Sequence, residues 1–208
     1  MAEFQRRKGS ETRDLILSFA ESAVLEKGFG GTSIDELIAA VGITKSGFFY
    51  HFKDKNELAK ALLQQYLDRE EELFDRLFER ADDLNDDPLH GFLVFLKLLA
   101  EILSDLPKTH PGCLVSAFCY QDQLFSSEIR ELNAAGVLRW RQRFLERLEL
   151  IARHYPPKIK VDMSDLADMV TGIIEGGIVI SRSVRDKDVL PQQVLLFRRF
   201  VRSVFLGN

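Results

Sequence analysis

The stretch Ser33-Ile34-Asp35-Glu36-Leu37-Ile38-Ala39-Ala40-Val41-Gly42-Ile43-Thr44-Lys45-Ser46-Gly47-Phe48-Phe49-Tyr50-His51-Phe52 decides how this chain is read. Ile34, Leu37, Ile38 and Val41 fall at i, i+3, i+4 and i+7, the spacing of one apolar helical stripe. They follow Thr32 and Ser33, either of which suits an N-cap. Gly42 ends that helix, and Thr44 caps a second short one running through Phe52. Two short helices joined by a three- or four-residue turn form a helix-turn-helix, whose second helix enters the DNA major groove. Many helical hairpins share this spacing. A helical protein-interaction module, and an α-helical enzyme with a hydrophobic pocket, therefore stand beside it as alternatives.

Outward from this stretch the same 3.6-residue periodicity holds to both ends, and no segment alternates apolar and polar residues long enough to be a half-buried strand. The fold class is all-α, with about nine helices. A first helix is predicted from Ser10, as N-cap, to Gly28, with Leu15, Ile16, Phe19, Ala20, Ala23 and Val24 on one face. Lys53 to Glu57 turns the chain into a long fourth helix reaching about Ala81. An acidic linker from Asp82 leads to Asp87 at N-cap and Pro88 at N1 of a fifth helix, which ends before Pro107. After a loop at 107–112 come a short helix from Cys113 to Tyr120 and a long one from about Ser126 to His154, stopped by Pro156-Pro157. Two more helices are predicted at about 164–184 and 191–205. Two domains follow from this organisation, residues 1–54 and 55–208.

Composition narrows the class. Of 208 residues, 46% are apolar and 29% charged, which suits a folded chain with a sizeable core and excludes disorder as the main state. No apolar run approaches the ~20 residues of a membrane span, and the N-terminus lacks the apolar core of a secretory signal, so a cytoplasmic location is expected. The net charge is −4. Residues 1–60 carry nine basic and nine acidic side chains, so the whole deficit lies after residue 60 and a polyanion would meet the N-terminal part. Arg6, Arg7 and Lys8 form either a basic arm that adds attraction to DNA or a plain solvated tail.

The second short helix carries chemistry suited to DNA. Thr44-Lys45-Ser46-Gly47 offers a hydroxyl, a long cation and small residues at its start. Phe48 and Phe52, at i and i+4, pack inward and leave Tyr50, His51 and Lys55 for phosphates. Taken with Gly28-Phe29, Thr32-Ser33, Ile34-Asp35-Glu36-Leu37 and Lys55-Asn56-Glu57-Leu58, the stretch from Val41 to Phe52 resembles the DNA-binding domain of the tetracycline-repressor (TetR) family over residues 10 to about 60. The resemblance implies that Thr32 or Ser33, Tyr50, His51 and Lys55 touch the phosphate backbone and that Thr44, Lys45, Ser46 and Gly47 face the major groove. Lys45 is then the side chain best suited to a guanine edge. Phe49 stands where many members carry a second tyrosine.

The rest of the chain resembles the family only in length, helix count and a glycine-bearing penultimate helix. The resemblance implies a homodimer formed through the last two helices, with Gly172, Gly176 and Gly177 either at that interface or packed within one subunit. It also implies a repressor released from a palindromic operator, that is, double-stranded DNA, by a small hydrophobic or amphipathic effector. Pocket candidates are Phe92, Phe95, Leu96, Leu99, Phe118, Trp140, Phe144, Met169 and Glu175, the aromatics standing equally as ordinary core. Glu175 either selects a cationic or hydroxyl-bearing ligand or pairs with an arginine. Cys113 and Cys119 read as small core residues rather than reactive thiols, since no cation adjoins them in sequence. No cofactor, metal site or enzymatic activity is expected. The four histidines lack ligand-like spacing, and Gly28-Phe29-Gly30-Gly31 lacks the strand and Lys-Ser/Thr ending of a phosphate loop.

Overall fold

The computed structural model describes residues 2–207, with side chains from Ser10 onward. The side chains of Arg6, Arg7 and Lys8 lie outside the described residues. Nine α-helices are present among them, and no strand: α1 (Ala2–Lys27), α2 (Ile34–Val41), α3 (Lys45–His51), α4 (Lys55–Leu84), α5 (Pro88–Ser104), α6 (Leu114–Cys119), α7 (Ser127–His154), α8 (Met163–Val184) and α9 (Val189–Leu206). A 3-10 turn at Asp122–Leu124, which periodicity cannot detect in three residues, precedes α7. Ser10 lies inside α1 and is not its cap. The preceding Ala, Glu, Gln, Arg and Lys residues favour helix, and one glycine at position 9 costs only about 1 kcal/mol against alanine. α9 starts two residues ahead of Pro191, which sits in its first turn, where no helical N–H is lost.

The chain divides into two compact units. The first gathers residues 1–68 with 113–136, and the second residues 69–112 with 137–208. α4 and α7 each contribute to both. In the first unit, Ile16, Leu17 and Ala20 of α1, Leu37 of α2, Phe48 of α3 with Phe52 just after it, and Leu58 and Leu62 of α4 are buried. Phe29 meets Phe125 and Phe118 at ring-centroid distances of 4.7 and 5.8 Å, and the latter two stack at 4.3 Å.

In the second unit α9 packs against both α5 and α8. Phe78 stacks on Phe95 at 3.9 Å with the rings within 2° of parallel, and Phe74, Phe92 and Phe144 close around them. Asp87 caps α5 by accepting from the His90 backbone N–H at 2.9 Å and also accepts from the Tyr155 hydroxyl at 2.5 Å. Partial burial pushes its carboxyl upward, but the hydrogen bonds from Tyr155 and from the backbone and ring of His90 outweigh this and hold it at about 2.

Asp87→Ala is expected to cost about 1 to 2 kcal/mol at neutral pH through loss of the cap and of the Tyr155 bond. The folded carboxyl titrates near 2, below the unperturbed 3.8, so this contribution is full above pH 3.8 and is lost as the pH falls toward 2. Urea unfolding of both proteins at pH 7 and at pH 2 checks this: the gap should be open at the first and nearly closed at the second.

Candidate nucleic-acid interface

Three residues set the ends of α2 and α3. Ser33 caps α2, its hydroxyl accepting from the Glu36 N–H at 3.2 Å. Gly42 ends α2 in the left-handed region at φ 72°, where a side chain would strain the backbone, and its N–H bonds the Ile38 carbonyl. Thr44 caps α3 by accepting from the Gly47 N–H at 3.1 Å, and its hydroxyl lies 3.0 Å from that of Ser46. Phe48 and Phe52, 0% and 1% exposed, then set which way α3 faces.

The opposite face is a row of donors. Lys45 and Ser46 are exposed, Gly47 is half-buried, and Tyr50 is 82% exposed with its ring edge-on to His51 at 5.0 Å. Burial, and secondarily the charge of Arg13, lower the His51 pKa, so its imidazole is neutral near pH 7 and presents one N–H. No carboxylate occurs from Thr44 to Phe52. Of those nearby, Glu36 pairs with Lys27 at 2.5 Å, and Asp54 and Glu57 cap the start of α4 through the N–H groups of Glu57 and Lys53. A face of hydroxyls and a cation with no competing acid suits a polyanion.

Two of the residues expected at phosphates have partners within the chain. Thr32 is only 2% exposed, and its hydroxyl donates to the Gly28 carbonyl at 3.0 Å. Lys55 is half-buried, its Nζ donating to the Phe29 carbonyl at 2.7 Å and lying 4.4 Å from the centre of the Phe29 ring. Desolvation there lowers the ammonium pKa. Both side chains therefore close the turn after α1. Gln121, which no local pattern singles out, supports the same turn by accepting from the Gly30 N–H at 3.1 Å. A Cβ at Gly28, itself at φ +80°, would lie 2.4 Å from Gln121 Nε2.

Among the pocket candidates, Phe92, Phe95, Leu96, Leu99, Trp140 and Phe144 are buried in the second unit, while Phe118 belongs to the first and stacks on Phe125. Met169 is 38% exposed and Glu175 half-buried. The His110 pKa is lowered by burial against an opposing pull from Glu175 and a smaller push from Arg182. The second unit holds a cleft of about 500 Å³ lined by Glu71, Asp75, Glu79 and Asp82 of α4 and Arg139, Arg143 and Arg147 of α7, with Phe78 among them. None of the nine candidates lines it. Gly177 is buried against Leu190, whose Cδ1 lies 2.7 Å from where a Cβ would stand, so it packs α8 on α9 within the chain. Gly172 and Gly176 meet nothing within 4 Å. Cys113 is buried, but Cys119 is exposed and is no core residue.

Residues 16–62 match the sequence pattern of the family described as bacterial regulatory proteins, tetR family. The chain is 30% identical over 106 residues to the probable HTH-type transcriptional regulator ArpR of Pseudomonas putida, covering 51% of this chain and 48% of that protein. The match thus spans about half the length of that relative. HTH-type transcriptional regulator LmrA of Bacillus subtilis is 24% identical over 183 residues, 86% of this chain and 91% of that one. In fold, a TetR-family transcriptional regulator from Agrobacterium tumefaciens superposes with a TM-score of 0.77 at 18% identity, covering 95% of this chain and 99% of that one.

Lys55→Met, which keeps the aliphatic stem and removes the ammonium, is expected to lower stability by about 1 to 2 kcal/mol through loss of the Phe29 hydrogen bond and cation–π contact. Urea unfolding checks this. A lysine reserved for phosphate would leave stability unchanged.

Proposed function

We propose that the chain is a TetR-family transcriptional regulator, a homodimeric repressor that binds a palindromic operator and leaves it when a small amphipathic ligand binds. The observation that carries DNA binding is the acid-free donor face of α3, aimed outward by Phe48 and Phe52. In this reading Ser33, Tyr50 and His51 contact phosphates, while Thr44, Lys45, Ser46 and Gly47 lie in the major groove. Residues 1–54 supply the DNA contacts, and residues 55–208 supply effector binding and dimerisation.

Assembly is part of the same proposal, since one chain carries one recognition helix and a palindrome requires two. Gly172, Gly176, Val179 and Ile180 fall on one exposed face of α8, and Val184 and Leu196 are also exposed. A face of glycines and branched apolar residues suits close helix packing against a second copy. The effector is proposed to enter the cleft of about 500 Å³, a volume usual for small-molecule sites. Its charged walls and single aromatic ring favour a ligand with both polar and apolar parts over a purely hydrophobic one.

Selection of bound sequences from randomised duplexes tests DNA binding directly. Lys45→Ala is expected to cost about 1 to 3 kcal/mol mainly on the selected sequence, whereas Tyr50→Phe should weaken all duplexes alike. In the same assay Gly176→Leu should give a folded monomer by sedimentation that no longer holds the operator. A Gly176→Leu dimer with full affinity would move the interface elsewhere.

Release by ligand has its own consequence. Coupling between two sites is reciprocal, typically ~5- to 150-fold, so a ligand found by thermal-shift screening must bind more weakly, by the same factor, when operator is present. Equal affinity in the two titrations would remove the inducer role.

A further inference from the structure

Phe49 is an aromatic of α3 that neither full burial nor a polar group of its own explains. Phe48 and Phe52 are completely buried, whereas Phe49 remains 44% exposed, with an edge contact to Phe48 at 5.4 Å. Its ring has no donor or acceptor, so it gains nothing from a phosphate. Helical geometry fixes its neighbours. At about 100° per residue, Lys45, Phe49, Ser46 and Tyr50 fall in that order around an arc of about 140°, with Phe49 between Lys45 and Ser46 and about 100° around the helix from Phe48, which it meets only edge-on.

On the floor of the major groove only one group is apolar, the 5-methyl of thymine. We propose that Phe49 reads a thymine in each half-site by seating its ring on that methyl, beside the base edge met by Lys45. This rests on the DNA-binding reading above and adds to it a base preference that no hydrogen-bonding side chain of α3 supplies. Burying a methyl is worth roughly a factor of four in binding per half-site.

The test begins with an operator taken from the selection, in which each thymine in turn is replaced by deoxyuridine, which pairs identically and lacks only the methyl. The wild-type protein should lose about four-fold for each half-site altered at one particular position. Phe49→Ala should bind the thymine operator more weakly and be indifferent to the replacement there, and Phe49→Tyr, which keeps the ring, should stay sensitive. Because the titration on the wild-type protein needs no variant, a poorly folded Phe49→Ala does not obscure the result. Wild-type indifference to deoxyuridine at every thymine, or a Phe49→Ala protein that keeps the sensitivity, overturns the proposal while leaving DNA binding intact. Failure to select any sequence overturns both.

Discussion

A helix of seven residues does not hold together in water, because nucleation fixes several backbone dihedrals for each hydrogen bond gained. α3 exists because Phe48 and Phe52 are buried from it, each worth roughly 1.5 to 3 kcal/mol. The same burial orients it. With two aromatics one turn apart held inside, Lys45, Ser46, Phe49 and Tyr50 have only the outside left, and the donor face follows from packing rather than from polarity. The caps refine this: Thr44 satisfies the Gly47 N–H, and Gly42 allows a turn tight enough to bring α3 back across α2.

Phe29 plays the corresponding part behind the interface. Its ring meets Phe118 and Phe125, its carbonyl takes the Lys55 ammonium, and the next N–H is held by Gln121. A charged side chain and an amide from distant segments are thereby committed to one turn of backbone, which explains why a lysine expected to meet solvent is half-buried. Segment 113–136 clusters with the N-terminal helices through these contacts.

The second unit divides its polar and apolar resources differently. Its phenylalanines stack on one another, so the aromatic surplus seen in the sequence is spent mainly on packing. The cleft beside them is walled by ion pairs such as Arg147 with Asp82 at 2.7 Å, Arg147 also lying 4.5 Å from the centre of the Phe78 ring. On α8, glycines one residue apart serve different ends: a Cβ at Gly177 would strike Leu190, while Gly176 opens outward.

The sequence by itself determined the all-α class, the helix-turn-helix, the caps at Thr44 and Asp87, and the donor set from Thr44 to His51. Each of these depends on residues within about two helical turns of one another, and their spacing is visible in the chain. Only the tertiary structure decided that Ser33 rather than Thr32 caps α2, that Thr32 and Lys55 find partners inside the chain, that Phe118 joins Phe29 and Phe125, that Gly177 packs internally, and that the second unit's cleft is lined by charges. Those outcomes turn on partners far apart in sequence, as Gln121 is from Gly30 by 91 positions. Periodicity says which face of a helix is apolar but not which neighbour covers it, and a lysine's reach lets it serve phosphate or a backbone carbonyl until folding brings one of them near.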